Sequence, residues 1–216
     1  MDFYDYLVQE YGYDEPIILD ELKEKLDIKP TTLRQRMSRL VLKGQVVRII
    51  QGVYFIPKKK PLFGLPVLDV NKVVHRKYLR SQNQVTGYNA GVNFANYLGL
   101  TSQTASVPTI VTNKASRDSR SVKIYNNRVI IRKPRVTVNE KNYKILQVLD
   151  LLNNYELLSE KPLDIAKNRI LSYLGDVTIN ENEMKGYLNE YPGKTKVRAY
   201  ELGLVKDETT RTPSRV

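Results

Sequence analysis

The chain has 216 residues, 41% of them hydrophobic, enough for one large domain or two modest ones with an apolar core. It contains no cysteine and one histidine, which excludes a disulfide framework, a Cys-containing zinc site and a His-rich metal site, and suits a reducing compartment. A formal net charge of +12 fits a solubilising excess, a membrane-surface patch or a nucleic-acid footprint, so its distribution decides among them.

Residues 1–27 carry two basic and nine acidic groups, residues 28–68 nine and none, residues 71–135 twelve and one, and residues 136–216 twelve of each. The excess is confined to the middle, where it favours binding of a polyanion through counterion release and steering. The opening run MDFYDYLVQEYGYDE is acidic and amphipathic, unlike a signal peptide, and no apolar run approaches the roughly 18 residues needed to cross a bilayer. A cytoplasmic protein with no membrane partner is expected.

Phe3, Tyr6, Leu7 and Tyr11 share one helical face that ends before Gly12. Pro16-Ile17-Ile18 reads as a connector or edge strand. Asp20 and Glu21 then suit the first turn of a second helix, with Leu22 and Leu26 on its buried face. Asp27-Ile28-Lys29 is a turn, and Pro30 fits the first position of a third helix because its missing N–H would be unpaired there. On that helix Leu33, Met37, Leu40 and Val41 fall on one side, while Thr31, Gln35, Ser38, Arg39 and Leu42 lie opposite, flanked by Arg34 and Arg36. Arg matches guanine O6 and N7, Gln matches adenine N6 and N7, and Ser or Thr bonds phosphate or base. Lys29 occupies the N-cap position, where a side chain that accepts hydrogen bonds is usual.

Gly44 closes the third helix, and Gln45 to Ile50 with Val53 to Pro57 form two strands joined at Gln51-Gly52, a wing. Arg48 and the run Lys58-Lys59-Lys60 are placed to reach backbone phosphates, although such a run alone is equally a solvated face. Helix, turn, helix and wing in this order predict a winged helix-turn-helix whose DNA contacts are Thr31, Thr32, Arg34, Gln35, Ser38, Arg39, Arg48, Lys58 and Lys59.

Pro61 to Pro66 reads as a linker, and Val70 to Leu79 as a basic helix in which His75 is a surface or packing residue. Gln84 to Gly87 predicts a strand, Asn89 to Leu98 a small helix and Pro108 to Thr112 another strand. A hairpin is expected to turn at Asn126-Asn127, with Val122, Ile124, Val129 and Ile131 inward. Around it Arg117, Arg120, Lys123, Arg128, Arg132, Lys133 and Arg135 make a second basic surface, for a partner or RNA, as an extension of the DNA footprint, or for solubility alone. Four helices follow, marked by Ile145, Leu149 and Leu152; by Ala166, Ile170, Tyr173 and Leu174; by Met184, Tyr187, Leu188 and Tyr191; and by Val197, Tyr200 and Leu204.

The sequence has no GxxxxGK[ST] loop, GxGxxG or GxSxG elbow, and Asp118 is the only carboxylate between residues 71 and 135. No catalytic residue, metal ligand or cofactor is therefore assigned.

The run GYNAGVNFANYLGLTSQTASVPTIVTN from Gly87 to Asn113, followed by SVKIYNNRVIIRKPR from Ser121 to Arg135, resembles the AbiEi family of antitoxins of type IV, abortive-infection toxin-antitoxin systems. The family also has a wing like GVYFIP, here Gly52 to Pro57, and a linker like FGLP, here Phe63 to Pro66. The likeness covers roughly residues 15–155 and fades after Leu158. It implies a protein of two functions, binding inverted repeats of its own operator through the N-terminal domain and countering a neighbouring nucleotidyltransferase toxin through the C-terminal one. The DNA contacts fall on the residues named above, the basic hairpin is a candidate antitoxin surface, and the expected form is a monomer able to bind DNA cooperatively. A repressor without a toxin partner, or an RNA-processing enzyme, are the rival readings.

The expected architecture is α+β: a winged helix-turn-helix over residues 1–60, a linker over 61–68, a mixed α/β antitoxin domain ending in helices over 69–205, and a disordered tail over 206–216. If the two functions are separable, a fragment from Leu65 onward loses operator binding and keeps neutralisation.

Overall fold

A computed structural model describes residues 2–59, 61, 63–175, 177–178 and 180–205. The chain is a mixed α+β protein, and it divides into two compact units, one of residues 1–84 with 121–129, the other of residues 85–120 with 130–216. The tail expected over 206–216 lies outside the described residues, as does Lys60.

In the first unit α1 (Phe3–Tyr11) begins at Asp2, whose carboxylate accepts from the Tyr4 and Asp5 amides, and ends at Gly12. Strand β1 (Ile17–Ile18) leads directly into α2 (Leu19–Leu26), and a turn with Asp27 at φ +47° leads to α3 (Pro30–Leu42). The hairpin of β2 (Val47–Ile50) and β3 (Val53–Phe55) follows, and β1 pairs with β3 to give an antiparallel sheet in the order β1-β3-β2. Leu7, Ile17, Leu22, Leu33, Met37, Leu40, Val46, Tyr54 and Ile56 close one core among these elements. Each helix contributes the apolar stripe its spacing dictates, and the sheet supplies the opposite wall.

The first unit continues through α4 (Val70–Val74) into a π-helical turn, His75–Leu79, and then into β4 (Arg80–Ser81), after which comes the short strand β5 (Gln84–Val85). The basic helix expected over Val70 to Leu79 is thus α-helical only in its first half. Residues 69–84, expected beyond a linker, belong to the first unit, and ion pairs link Lys72 and Arg76 to its N-terminal part.

The second unit contains a sheet in the order β6-β7-β9-β8, built from β6 (Gly87–Ala90), β7 (Thr109–Thr112), β8 (Ser119–Ile124) and β9 (Asn127–Arg132); residues 121–129 of its last hairpin count with the first unit. Strands β6 and β7 are antiparallel, with Tyr88 opposite Val111, whereas β7 and β9 are parallel, with Ile110 opposite Ile131. Pairing with β7 takes Asn89 and Ala90 into a strand, so α5 (Val92–Tyr97) is shorter than the helix expected from Asn89. The left-handed residue of the β8–β9 hairpin is Tyr125 (φ +51°), not either asparagine. Its side chain is held in place: the Tyr125 hydroxyl accepts from the Leu68 amide at 3.1 Å.

Helix α6 (Tyr143–Asn153) is buried on every side from Ile145 to Asn153. Around it stand α7 (Tyr155–Leu158), α8 (Leu163–Leu174), α9 (Glu181–Asn189) and α10 (Gly193–Leu202). The stripe expected on the last helix is corrected at two of its three positions, Leu204 being buried as expected. Val197 is 57% and Tyr200 43% exposed, while Thr195, Ala199 and Leu202 are buried. Arg198 reaches the Leu152 carbonyl and Glu156, and the Thr195 hydroxyl bonds Asn153 at 3.2 Å, so small residues of α10 face α6. No described helix is long and apolar enough to cross a membrane.

Candidate nucleic-acid interface

The geometry of α3 follows from its sequence. Pro30 starts it without a side-chain cap from Lys29, and Leu33, Met37 and Leu40 anchor it in the first unit's core. Thr31, Arg34, Gln35, Arg36, Ser38 and Arg39 are consequently exposed, with Thr32 half-buried. Arg36 is partly engaged, its guanidinium lying 5.4 Å from the Phe3 ring centroid, a cation–π contact that ties α3 to α1. Leu42, at the end of the helix, is 84% exposed. Gly44, at φ +66°, then reverses the chain, and the Gln45 amide donates to the Leu40 carbonyl at 3.0 Å.

In the following hairpin Val47 pairs with Phe55 and Arg48 with Tyr54; an irregularity then brings Ile50 opposite Val53. The Arg48 side chain is exposed, as are Lys58 and Lys59. The Lys58 amide donates to the Asp14 carboxylate at 3.1 Å, which fixes the chain where the hairpin leaves the sheet. The outward face of α3 and the hairpin after it thus present cations and hydrogen-bonding groups along a stretch that has no carboxylate between Asp27 and Asp69.

The second basic set is divided between the units. Lys123 and Arg128 lie in residues 121–129, and Arg117, Arg120, Arg132, Lys133 and Arg135 in the second unit. Arg117, Lys123, Arg128, Lys133 and Arg135 are exposed, although Arg128 donates to the Ser121 hydroxyl at 3.3 Å. Arg120 is half-buried, and its Nε is enclosed with no hydrogen-bond partner among the described residues. Arg135 donates to the Glu190 carbonyl at 3.0 Å and lies 5.3 Å from the Tyr191 ring centroid, so it also holds the end of α9.

Behind Arg132 and Arg135 sits a polar node that the apolar spacing of ILQVLDLLN conceals. Asp150 is buried within α6 and accepts from the Tyr88 hydroxyl at 3.0 Å and the Tyr191 hydroxyl at 3.4 Å. Its only signal in the sequence is an aspartate inside an apolar run, which requires partners. Burial pushes the Asp150 carboxyl up from its ordinary value, opposed mainly by the charge of Arg132. Burial likewise raises Tyr88 and Tyr191. Because the folded chain holds the Asp150 proton to a higher pH than the unfolded chain, this group's contribution to stability falls as pH rises from the ordinary carboxylate range through its raised value. Asp150→Asn keeps the shape without the charge, so its stability relative to wild type should improve across that window as pH rises. Urea titrations at a series of pH values measure this, and a difference independent of pH would contradict it.

The cations of α4 and the π turn face carboxylates of the same unit. Lys72 pairs with Glu15 and Arg76 with the buried Glu21 at 2.6 Å. His75 is exposed and lines an open cleft of about 550 Å³ together with Tyr11, Glu15, Lys72 and Arg76. Among the described residues no group of three His, Asp or Glu side chains is arranged to hold a metal ion. No family model matches the chain, and no curated protein matches it.

Proposed function

We propose that the first unit carries a winged helix-turn-helix that binds operator DNA, and that the protein is a cytoplasmic autorepressor and antitoxin of the AbiEi kind. The DNA reading rests on the division of α3: Leu33, Met37 and Leu40 are buried while Arg34, Gln35, Ser38 and Arg39 are exposed on a carboxylate-free stretch. On this reading α3 enters the major groove, its Arg and Gln side chains meet base edges, and Arg48 with Lys58 and Lys59 holds flanking phosphates. Neither catalytic residue nor cofactor enters the reading. Gel-shift titration of the purified chain against duplex DNA from upstream of its own gene tests it. Preference for that DNA over a scrambled duplex is expected, and equal affinity for both would overturn it.

The antitoxin half is supported by the resemblance over Gly87 to Asn113 and Ser121 to Arg135. It entails a nucleotidyltransferase encoded beside this protein, whose toxicity co-expression of the full chain should relieve. Growth that stays arrested despite soluble co-expressed protein would remove this half and leave the repressor.

A further inference from the structure

The segment after the linker directs its polar side chains to three places in the first unit. Lys72 donates to the Asp14 carbonyl at 3.2 Å as well as pairing with Glu15. Arg76 pairs with Glu21 of α2; the other carboxylate oxygen of Glu21 accepts from the Ser81 hydroxyl at 2.8 Å, and the Gln82 amide donates to Glu24 at 2.8 Å. Lys77, whose ammonium also lies 5.6 Å from the Tyr78 ring centroid, donates to the Gln51 carbonyl at 2.9 Å.

These contacts converge on the β2–β3 hairpin and the helix before α3. Gln51 is in the hairpin's turn, next to Gly52, which has φ +75° and whose carbonyl accepts from the Leu19 amide at 2.9 Å. At the hairpin's other end the Asp14 amide donates to the Ile56 carbonyl at 2.9 Å, and the Asp14 carboxylate accepts from Lys58. Lys77 therefore holds the hairpin's turn directly, Lys72 reaches its other end through Asp14, and Arg76 holds α2. Adjacent side chains diverge by roughly 100° in an α-helix. The wider i→i+5 turn that begins at His75 narrows that angle, allowing neighbours 76 and 77 to serve two adjacent elements.

We propose that α4 and the π turn form a strut that sets the hairpin against DNA, with Lys77 as a positioning residue for Arg48 and not a phosphate contact of its own. The proposal rests on the DNA reading above for its consequence, but its structural part can be measured without DNA. In the free protein, Lys77→Met should accelerate amide hydrogen exchange at Leu19, whose N–H is bonded to the Gly52 carbonyl, and at Val53, Lys77→Arg should restore protection, and Lys59→Met should leave it unchanged. Unaltered exchange in Lys77→Met would overturn the strut whatever the protein binds.

On duplex DNA from upstream of the gene, Lys77→Met should weaken binding several-fold, but lose most of that effect when Arg48 is already alanine. If instead Lys77 touched phosphate directly, the two losses would multiply and the salt slope would fall by about one for each lysine or arginine removed. That result would overturn the positioning role. If wild type shows no preference for the upstream duplex, the DNA reading fails, and the exchange measurement still decides whether the strut holds the hairpin.

Discussion

Alanine at Arg34, Gln35 and Arg39 together will lower affinity for the upstream operator about a hundredfold or more while leaving the protein folded. Each bidentate contact to a base edge contributes about 1–3 kcal/mol of discrimination, and separated positions add roughly. Three contacts at the low end give about 3 kcal/mol, which is roughly a hundredfold. All three side chains are exposed, so the cost to folding should stay within about 0.5 kcal/mol for each substitution, as thermal melts will show. Arg36 is left in place because its contact with Phe3 makes it part of the packing between α1 and α3. Lys58→Ala supplies the contrast: it should weaken binding to operator and scrambled duplex alike and reduce the salt slope by about one. Equal operator affinity for wild type, the triple variant and Lys58→Ala would remove α3 and the hairpin as the DNA-binding surface.

Leu149→Ala will destabilise the second unit by about 2–5 kcal/mol, read as a lowered urea midpoint. Leu149 is fully buried in α6, which has buried side chains around its whole circumference, so the cavity is enclosed on all sides and relaxes little. Tyr200→Ala is the matched control. With Tyr200 43% exposed on α10, its removal should cost well under the Leu149 value. Comparable losses at the two positions would mean that α6 is not the centre of the helical core.

The contrast between those two residues marks where sequence reasoning reached and where it stopped. Helix α3 was legible because water on one side and core on the other impose a 3.6-residue alternation, and the buried Leu33, Met37 and Leu40 follow it. The ends of α1 and α3 were equally plain, since Gly12, Pro30 and Gly44 each have a local backbone reason for their place. Helix α6 was legible from Ile145, Leu149 and Leu152, but it has no wet face, and its buried Gln147, Asp150 and Asn153 read as solvent-facing until their partners are known. Gln147 donates to the Asn89 carbonyl at 2.7 Å and accepts from the Tyr173 hydroxyl at 2.5 Å, both from distant parts of the sequence. On α10, Val197 and Tyr200 have helical spacing, but Arg198 and Thr195 fix which side turns inward.

The candidate interface was legible residue by residue in α3 and the hairpin, because exposure there follows from local periodicity. The role of the basic segment at 72–77 was not. Its cations meet Asp14, Glu15, Glu21 and Gln51, some 26 to 58 residues away in sequence, and a count of charges cannot show which ones are already paired. The same contacts bear on the fragment beginning at Leu65, which would retain Lys72, Arg76 and Lys77 without the groups they bind.

The inclusion of residues 121–129 in the first unit has a bearing on synthesis. A ribosome extending the chain at roughly 5–20 residues per second completes α3 and its hairpin several seconds before Tyr125, whose hydroxyl receives the Leu68 amide, has been made. During that interval the nascent N-terminal unit lacks one of its own parts, and all of Val85–Arg120 must be translated before the part arrives. A message cut short before the codon for Ser121 therefore encodes every side chain of the proposed DNA-reading face but not the complete body that carries it.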